Sequence, residues 1–282
     1  MTMIDNGGAG RGHDRVRVSR TALNKVVVAL AGIALLITGC GSSGSSGNSS
    51  SSSAPVAKTL TVYAASSLTE SFNALKTEFE AQHPGVTVKY NFGGSSTLVQ
   101  QLTNGAKADV FASADQANMD KAVQGGVIDG TSTVFATNKL TIAVAPGNPK
   151  NLKTFADLAK GGLTVVVCAA QVPCGSATQK VEKNTGVTLK PVSEEQDVKQ
   201  VLTKVESGDA DAGLVYVTDA NTAGGKVAQV DFPESAQAIN NYPIAAVKGA
   251  PEADLAKQFE QFVLGAQGQQ ELTKVGFGSG GK

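Results

Sequence analysis

The sequence predicts an α/β protein of two lobes, each a mainly parallel sheet flanked by helices, with a cleft where the lobes meet. Three observations carry this. Short apolar runs of strand length alternate with amphipathic helical runs from Thr59 onward, the pattern of successive βαβ units. The stretch from Lys58 to Lys282 holds 225 residues, the size of two cores of ~110 residues each. Hydrophobic residues make up 41% of the chain, enough for packed interiors.

The first 57 residues do not read as a folded domain. Arg11, Arg15, Arg17 and Arg20 precede the run VVVALAGIALLI at residues 26–37. Twelve apolar residues are too few to span a bilayer but fit the core of a secretory signal peptide. The run ends in Ile37-Thr38-Gly39-Cys40, which resembles the lipobox of bacterial lipoproteins, where the cysteine is lipidated and becomes the first mature residue. Residues 1–39 are therefore expected to be a signal peptide and Cys40 the lipid attachment point. Residues 41–53 hold nine serines, three glycines and one asparagine, too polar to fold. Residues 40–57 read as a tether with a reach of ~25 Å, holding the domain on the outer face of the cell membrane.

From Thr59 the elements follow in order. TLTVYAA (59–65) is a short apolar strand, and Leu68, Phe72, Leu75 and Phe79 then recur at helical spacing until His83-Pro84-Gly85 ends the helix. VTVKYNF (86–92) is a second strand, GGSS a turn, TLVQQLTNG (97–105) a helix and ADVFASA (108–114) a third strand. LTIAVAP (140–146), LTVVV (163–167) and AGLVYV (212–217) continue the strands, with helices near 176–184 and 194–207. YPIAAV (242–247) is a late strand before a helix carrying Leu255, Phe259, Phe262 and Val263. Residues 58–138 plus 236–282 are assigned to one lobe and 139–235 to the other.

Composition excludes several classes of ligand. The charge balances at 24 bases and 24 acids, but five bases and two acids lie before residue 40, leaving 19 lysines, 22 acids and no arginine. That is no basic patch for nucleic acid. Carboxylate ligands are usually held by an arginine fork, and sugars by aromatic faces; after residue 20 there is no arginine, and the chain has no tryptophan and four tyrosines. Beyond His13 the one histidine is His83, at a helix end, so neither a Ser/His/Asp site nor a cation site is expected. Glu194-Glu195 reads as the solvated first turn of a helix. No cofactor and no enzymatic activity are expected.

Neutral donors at helix starts remain, and these can hold an oxyanion without a countercharge. Ser67 and Glu70 have the spacing of a capping box after the first strand. Gly93-Gly94-Ser95-Ser96 offers hydroxyls and a closely approaching backbone. Val172-Pro173-Cys174-Gly175 opens another helix, Ser193-Glu194-Glu195-Gln196 caps the next, and Tyr216 ends a strand. Taken singly, each has an ordinary reading: a cap, a turn, or, for Val198 and Tyr216, a core residue.

Together the runs VYAASSLTESF, NFGGSSTL, ADVFASADQANMD, VPCG, EEQDV and GLVYVTDA resemble the periplasmic molybdate-binding protein family across residues 59–278. The resemblance implies the type II periplasmic-binding architecture. It also implies a dianion held only by neutral groups: the serines at Ser67 and Ser95, the backbone amides at Cys174 and Val198, and the hydroxyl of Tyr216. The family's second loop often carries more serines where Gly93-Gly94 stand here, so Ser96 could share or take the role of Ser95. The ligand implied is molybdate or tungstate, delivered by a monomer to a membrane permease driven by a cytoplasmic ATPase. The alternative cargo is another tetrahedral oxyanion: sulfate, thiosulfate or phosphate. Cys168 and Cys174, six apart around the loop that carries one amide, should form a disulfide outside the cytoplasm and pre-organise that loop.

Overall fold

The computed structural model describes residues 57–280, so the apolar run, Cys40 and most of the tether lie outside the described residues. Among the described residues no helix is long and apolar enough to cross a membrane.

The first lobe begins with β1 (Lys58–Ala65), α1 (Thr69–Gln82), β2 (Val86–Gly93), α2 (Ser95–Thr103), β3 (Val110–Ala112), α3 (Gln116–Gln124) and β4 (Thr133–Asn138). Strand β1 pairs in parallel with β2 and β3, as two βαβ units require. The apolar stripe of the first helix is fully buried at Leu68, Phe72, Leu75 and Phe79. His83 ends that helix, its Nδ1 2.8 Å from the Phe79 carbonyl and its ring stacked on Phe79.

One residue, Lys139, links β4 to β5 (Leu140–Val144) in the second lobe. That lobe continues through β6 (Val165–Cys168), α4 (Pro173–Thr185), β7 (Ser193–Glu195), α5 (Val198–Glu206), β8 (Ala212–Tyr216), α6 (Val217–Thr222) and β9 (Ala228–Val230). The chain then returns to the first sheet through β10 (Asn240–Ala246), α7 (Ala253–Leu264), α8 (Ala266–Val275) and β11 (Gly278–Ser279).

The sheets are β11-β4-β10-β3-β1-β2 and β7-β6-β8-β5-β9. Both are mixed, with most strands running one way: β10 runs antiparallel to β3 and β4, and β5 runs antiparallel to β8 and β9. These two strands are the ones that receive the chain as it crosses between lobes, and each enters its sheet from the opposite end. Each lobe encloses its own apolar core, the first around Phe72, Phe135 and Phe259, the second around Ile142, Val181 and Leu214.

Three local expectations are corrected. Ser193, Glu194 and Glu195 form β7, paired in parallel with β6, and do not start a helix. Helix α5 starts at Val198, capped by Asp197, whose carboxylate accepts the N–H groups of Lys199 and Gln200 at 2.8 and 3.1 Å. Glu195 is buried and ion-paired with Lys204, the reverse of a solvated first turn. Ser67 and Glu70 make no capping box either: residues Ser66–Leu68 form a 3-10 turn and the helix proper starts at Thr69 without a side-chain cap.

Candidate functional site

The carboxyl ends of β1, β2, β6 and β8 face one another across the cleft, where ligands bind in open α/β sheets. Between them lies a small cavity lined by residues of both lobes. All five residues expected to bind a ligand line it: Ser67, Ser95, Cys174, Val198 and Tyr216. Ser95 lines the wall and Ser96 does not.

Backbone donors come first. Helices α2, α4 and α5 begin at or beside the cavity wall, at Ser95, Pro173 and Val198. Their first N–H groups have no partner within the helix, and their positive ends converge on one point. Helices α2 and α4 carry no side-chain cap that would compete for those groups. Gly94, just before α2, comes so near the second lobe that an added Cβ would lie 2.0 Å from the Gln196 carbonyl oxygen.

The hydroxyls come second. Ser95 Oγ accepts the Ala114 N–H at 2.9 Å, which leaves its own proton free for the cavity. Ser67 Oγ lies 3.0 Å from the hydroxyl of Tyr242. The Tyr216 hydroxyl is buried and has no hydrogen-bond partner among protein atoms, an uncommon state for a buried polar group. Burial holds the Tyr216 phenol well above its ordinary pKa, so it is a neutral donor.

No lysine lines the cavity. Its one acidic wall residue, Asp197, has its carboxylate engaged in capping α5. Among the described residues no cluster of His, Cys, Asp or Glu could hold a metal cation. The cavity offers many donors and few acceptors, the complement of an anion that accepts on every side.

A disulfide joins Cys168 at the end of β6 to Cys174 in the first turn of α4, with Cα atoms 5.6 Å apart. Gly175 completes this tight corner, since an added Cβ would lie 2.0 Å from the Ala169 carbonyl oxygen. Sequence reasoning passed over Asp197, Ala114 and Tyr242. An aspartate directly before an apolar helical run is a cap signal that could have found the first. Nothing local marks the other two.

A family model described as bacterial extracellular solute-binding protein matches residues 60–278. A molybdate-binding protein of Mycobacterium tuberculosis is 50% identical over 221 residues, covering 78% of this chain and 85% of that one. The molybdate-binding protein of Escherichia coli is 32% identical over 228 residues, covering 77% and 88%. The solved periplasmic molybdate-binding protein of Azotobacter vinelandii shares the fold, with a TM-score of 0.70 at 24% identity over 77% of this chain and 98% of that one. The chain belongs to the bacterial extracellular solute-binding proteins and resembles the molybdate-binding members among them.

Proposed function

We propose that the protein captures molybdate or tungstate outside the cytoplasm and delivers it to an ATP-binding-cassette permease for import. The observation that carries this is the convergence of neutral donors, the unpartnered Tyr216 hydroxyl among them, on a small cavity with no lysine in its wall. A dianion there gives up its water shell for hydrogen bonds from serine, tyrosine and backbone N–H groups. Each such bond to a charged acceptor contributes ~1.5–3 kcal/mol. Because the donors come from both lobes, the ligand favours the closed arrangement, and closure is the state a permease can read.

Ser67, Ser95 and Tyr216 supply the hydroxyls and Cys174 and Val198 the amides. The protein acts as a monomer, held to the membrane by a lipid on Cys40, and its role needs no catalytic step. Titration calorimetry with molybdate, tungstate and sulfate tests the reading. Tight binding of the first two with sulfate at least tenfold weaker is expected, and a preference for sulfate would overturn the assignment of cargo.

A further inference from the structure

Tyr242 sits in β10, 175 residues from Ser67 in sequence, and its ring is fully buried. It packs edge-on against Phe135, Phe277 and Tyr216, with centroids 6.3, 5.2 and 6.0 Å away. It does not line the cavity. Its hydroxyl lies 3.0 Å from Ser67 Oγ, where by geometry either oxygen can be the donor, and the Asn138 side chain and the Tyr216 hydroxyl also approach it.

We infer that Tyr242 is a positioning residue that turns the hydroxyl proton of Ser67 into the cavity, so that the two form a one-way chain from phenol to serine to bound anion. The inference rests on the functional reading above. An oxyanion without protons only accepts hydrogen bonds. Ser67 carries one proton, and if that proton goes to the anion, the serine oxygen must act as acceptor toward Tyr242. The phenol is able to donate there, because burial raises its pKa above the ordinary value and keeps its proton in place. Donation from Tyr242 also polarises the serine O–H and strengthens it as a donor. Ser95 is set the same way by a backbone group, the Ala114 N–H. The two serines thus reach one state by different means, and for Ser67 the last third of the chain supplies the fixing group.

The test is a double-mutant cycle on binding, with Tyr242→Phe, Ser67→Ala and the double variant, run with whichever of molybdate, tungstate and sulfate the wild-type protein binds. Tyr242→Phe keeps the ring contacts and should weaken binding about fivefold. In the Ser67→Ala background the same change should weaken it less than twofold, because the tyrosine acts only through the serine. Wild-type affinity in Tyr242→Phe overturns the inference, as does an equal loss in both backgrounds, which a purely structural tyrosine would give. If Tyr242→Phe does not fold, the comparison of Ser67→Ala with the double variant decides, since the double variant leaves neither hydroxyl without its partner. A wild-type protein that binds none of the three anions overturns the functional reading and this inference with it.

Discussion

Lys199 and Glu70 meet across the cleft, the lysine Nζ lying 3.0 and 2.8 Å from the two oxygens of the Glu70 carboxylate. The same ammonium is 3.0 Å from Asp219, whose side chain is fully buried and whose other oxygen accepts the Tyr216 N–H at 3.1 Å. One lysine therefore joins the first lobe to the second directly behind a residue of the cavity wall. Burial raises the Asp219 pKa, and the nearby Lys199 charge opposes that shift.

Removing the lysine charge should expose the cost of that buried carboxylate. Lys199→Met leaves Asp219 without its counter-ion, a loss of about 3–5 kcal/mol of unfolding free energy. Glu70→Gln, at a half-exposed site, should cost only about 0.2–1 kcal/mol. The pH dependence has a defined sign. A carboxyl whose folded pKa is raised contributes stability at low pH and loses it as pH rises through that folded value. The deficit of Lys199→Met should accordingly be larger at pH 8 than at pH 5 by urea denaturation. A deficit that shrinks as pH rises would rule out Asp219 as its origin.

Closure depends on the missing side chain at Gly94. Its φ of −64° suits any residue, so the constraint there is steric and not conformational. Gly94→Ala puts a methyl group 2.0 Å from the Gln196 carbonyl oxygen of the opposite lobe. Each lobe keeps its own core, so the melting temperature of the ligand-free protein should change little. Affinity should fall at least tenfold by calorimetry. An alanine variant that binds as the wild type does would show that the lobes need not approach so closely.

Much of the fold follows from spacing along the chain. Leu68, Phe72, Leu75 and Phe79 announce a helix by their positions alone, and all four are buried. The start of α5 is ambiguous in the sequence because Ser193 and Asp197 are both cap residues, and the choice between them is made by β6. Pairing with Val166, Val167 and Cys168 draws residues 193–195 into a strand despite two glutamates, a tertiary effect that overrides local preference. The antiparallel entry of β5 and β10 is set by the route between lobes, which no local pattern encodes. The cavity residues were legible only as a set, through the family resemblance. Tyr242 was not legible at all, since its partner is 175 residues away.

The disulfide should matter to the site more than to the fold as a whole. It closes a loop of only about seven residues, for which loop entropy accounts for roughly 2 kcal/mol. Yet Cys174 is itself part of the cavity wall, so freeing it loosens a backbone donor where the anion would sit. Replacing both Cys168 and Cys174 by serine should lower the melting temperature by a few degrees and weaken oxyanion binding several-fold. Unchanged affinity in the folded double variant would remove the pre-organising role of the bridge.

Tyr216 offers the clearest separation of binding from stability. Its hydroxyl is buried with no protein partner, so the ligand-free fold gains no protein hydrogen bond from it. The ring still packs edge-on against Tyr242, and phenylalanine preserves that contact. Tyr216→Phe should therefore leave unfolding free energy in urea unchanged or raise it by up to ~1 kcal/mol, since a buried unpaired hydroxyl is costly. Binding should move the other way, weakening roughly ten- to a hundredfold, the value of one hydrogen bond to a charged acceptor. Opposite signs in the two measurements mark a group kept for a ligand. A destabilised variant with undiminished affinity would mean instead that the hydroxyl serves the packing of the cleft.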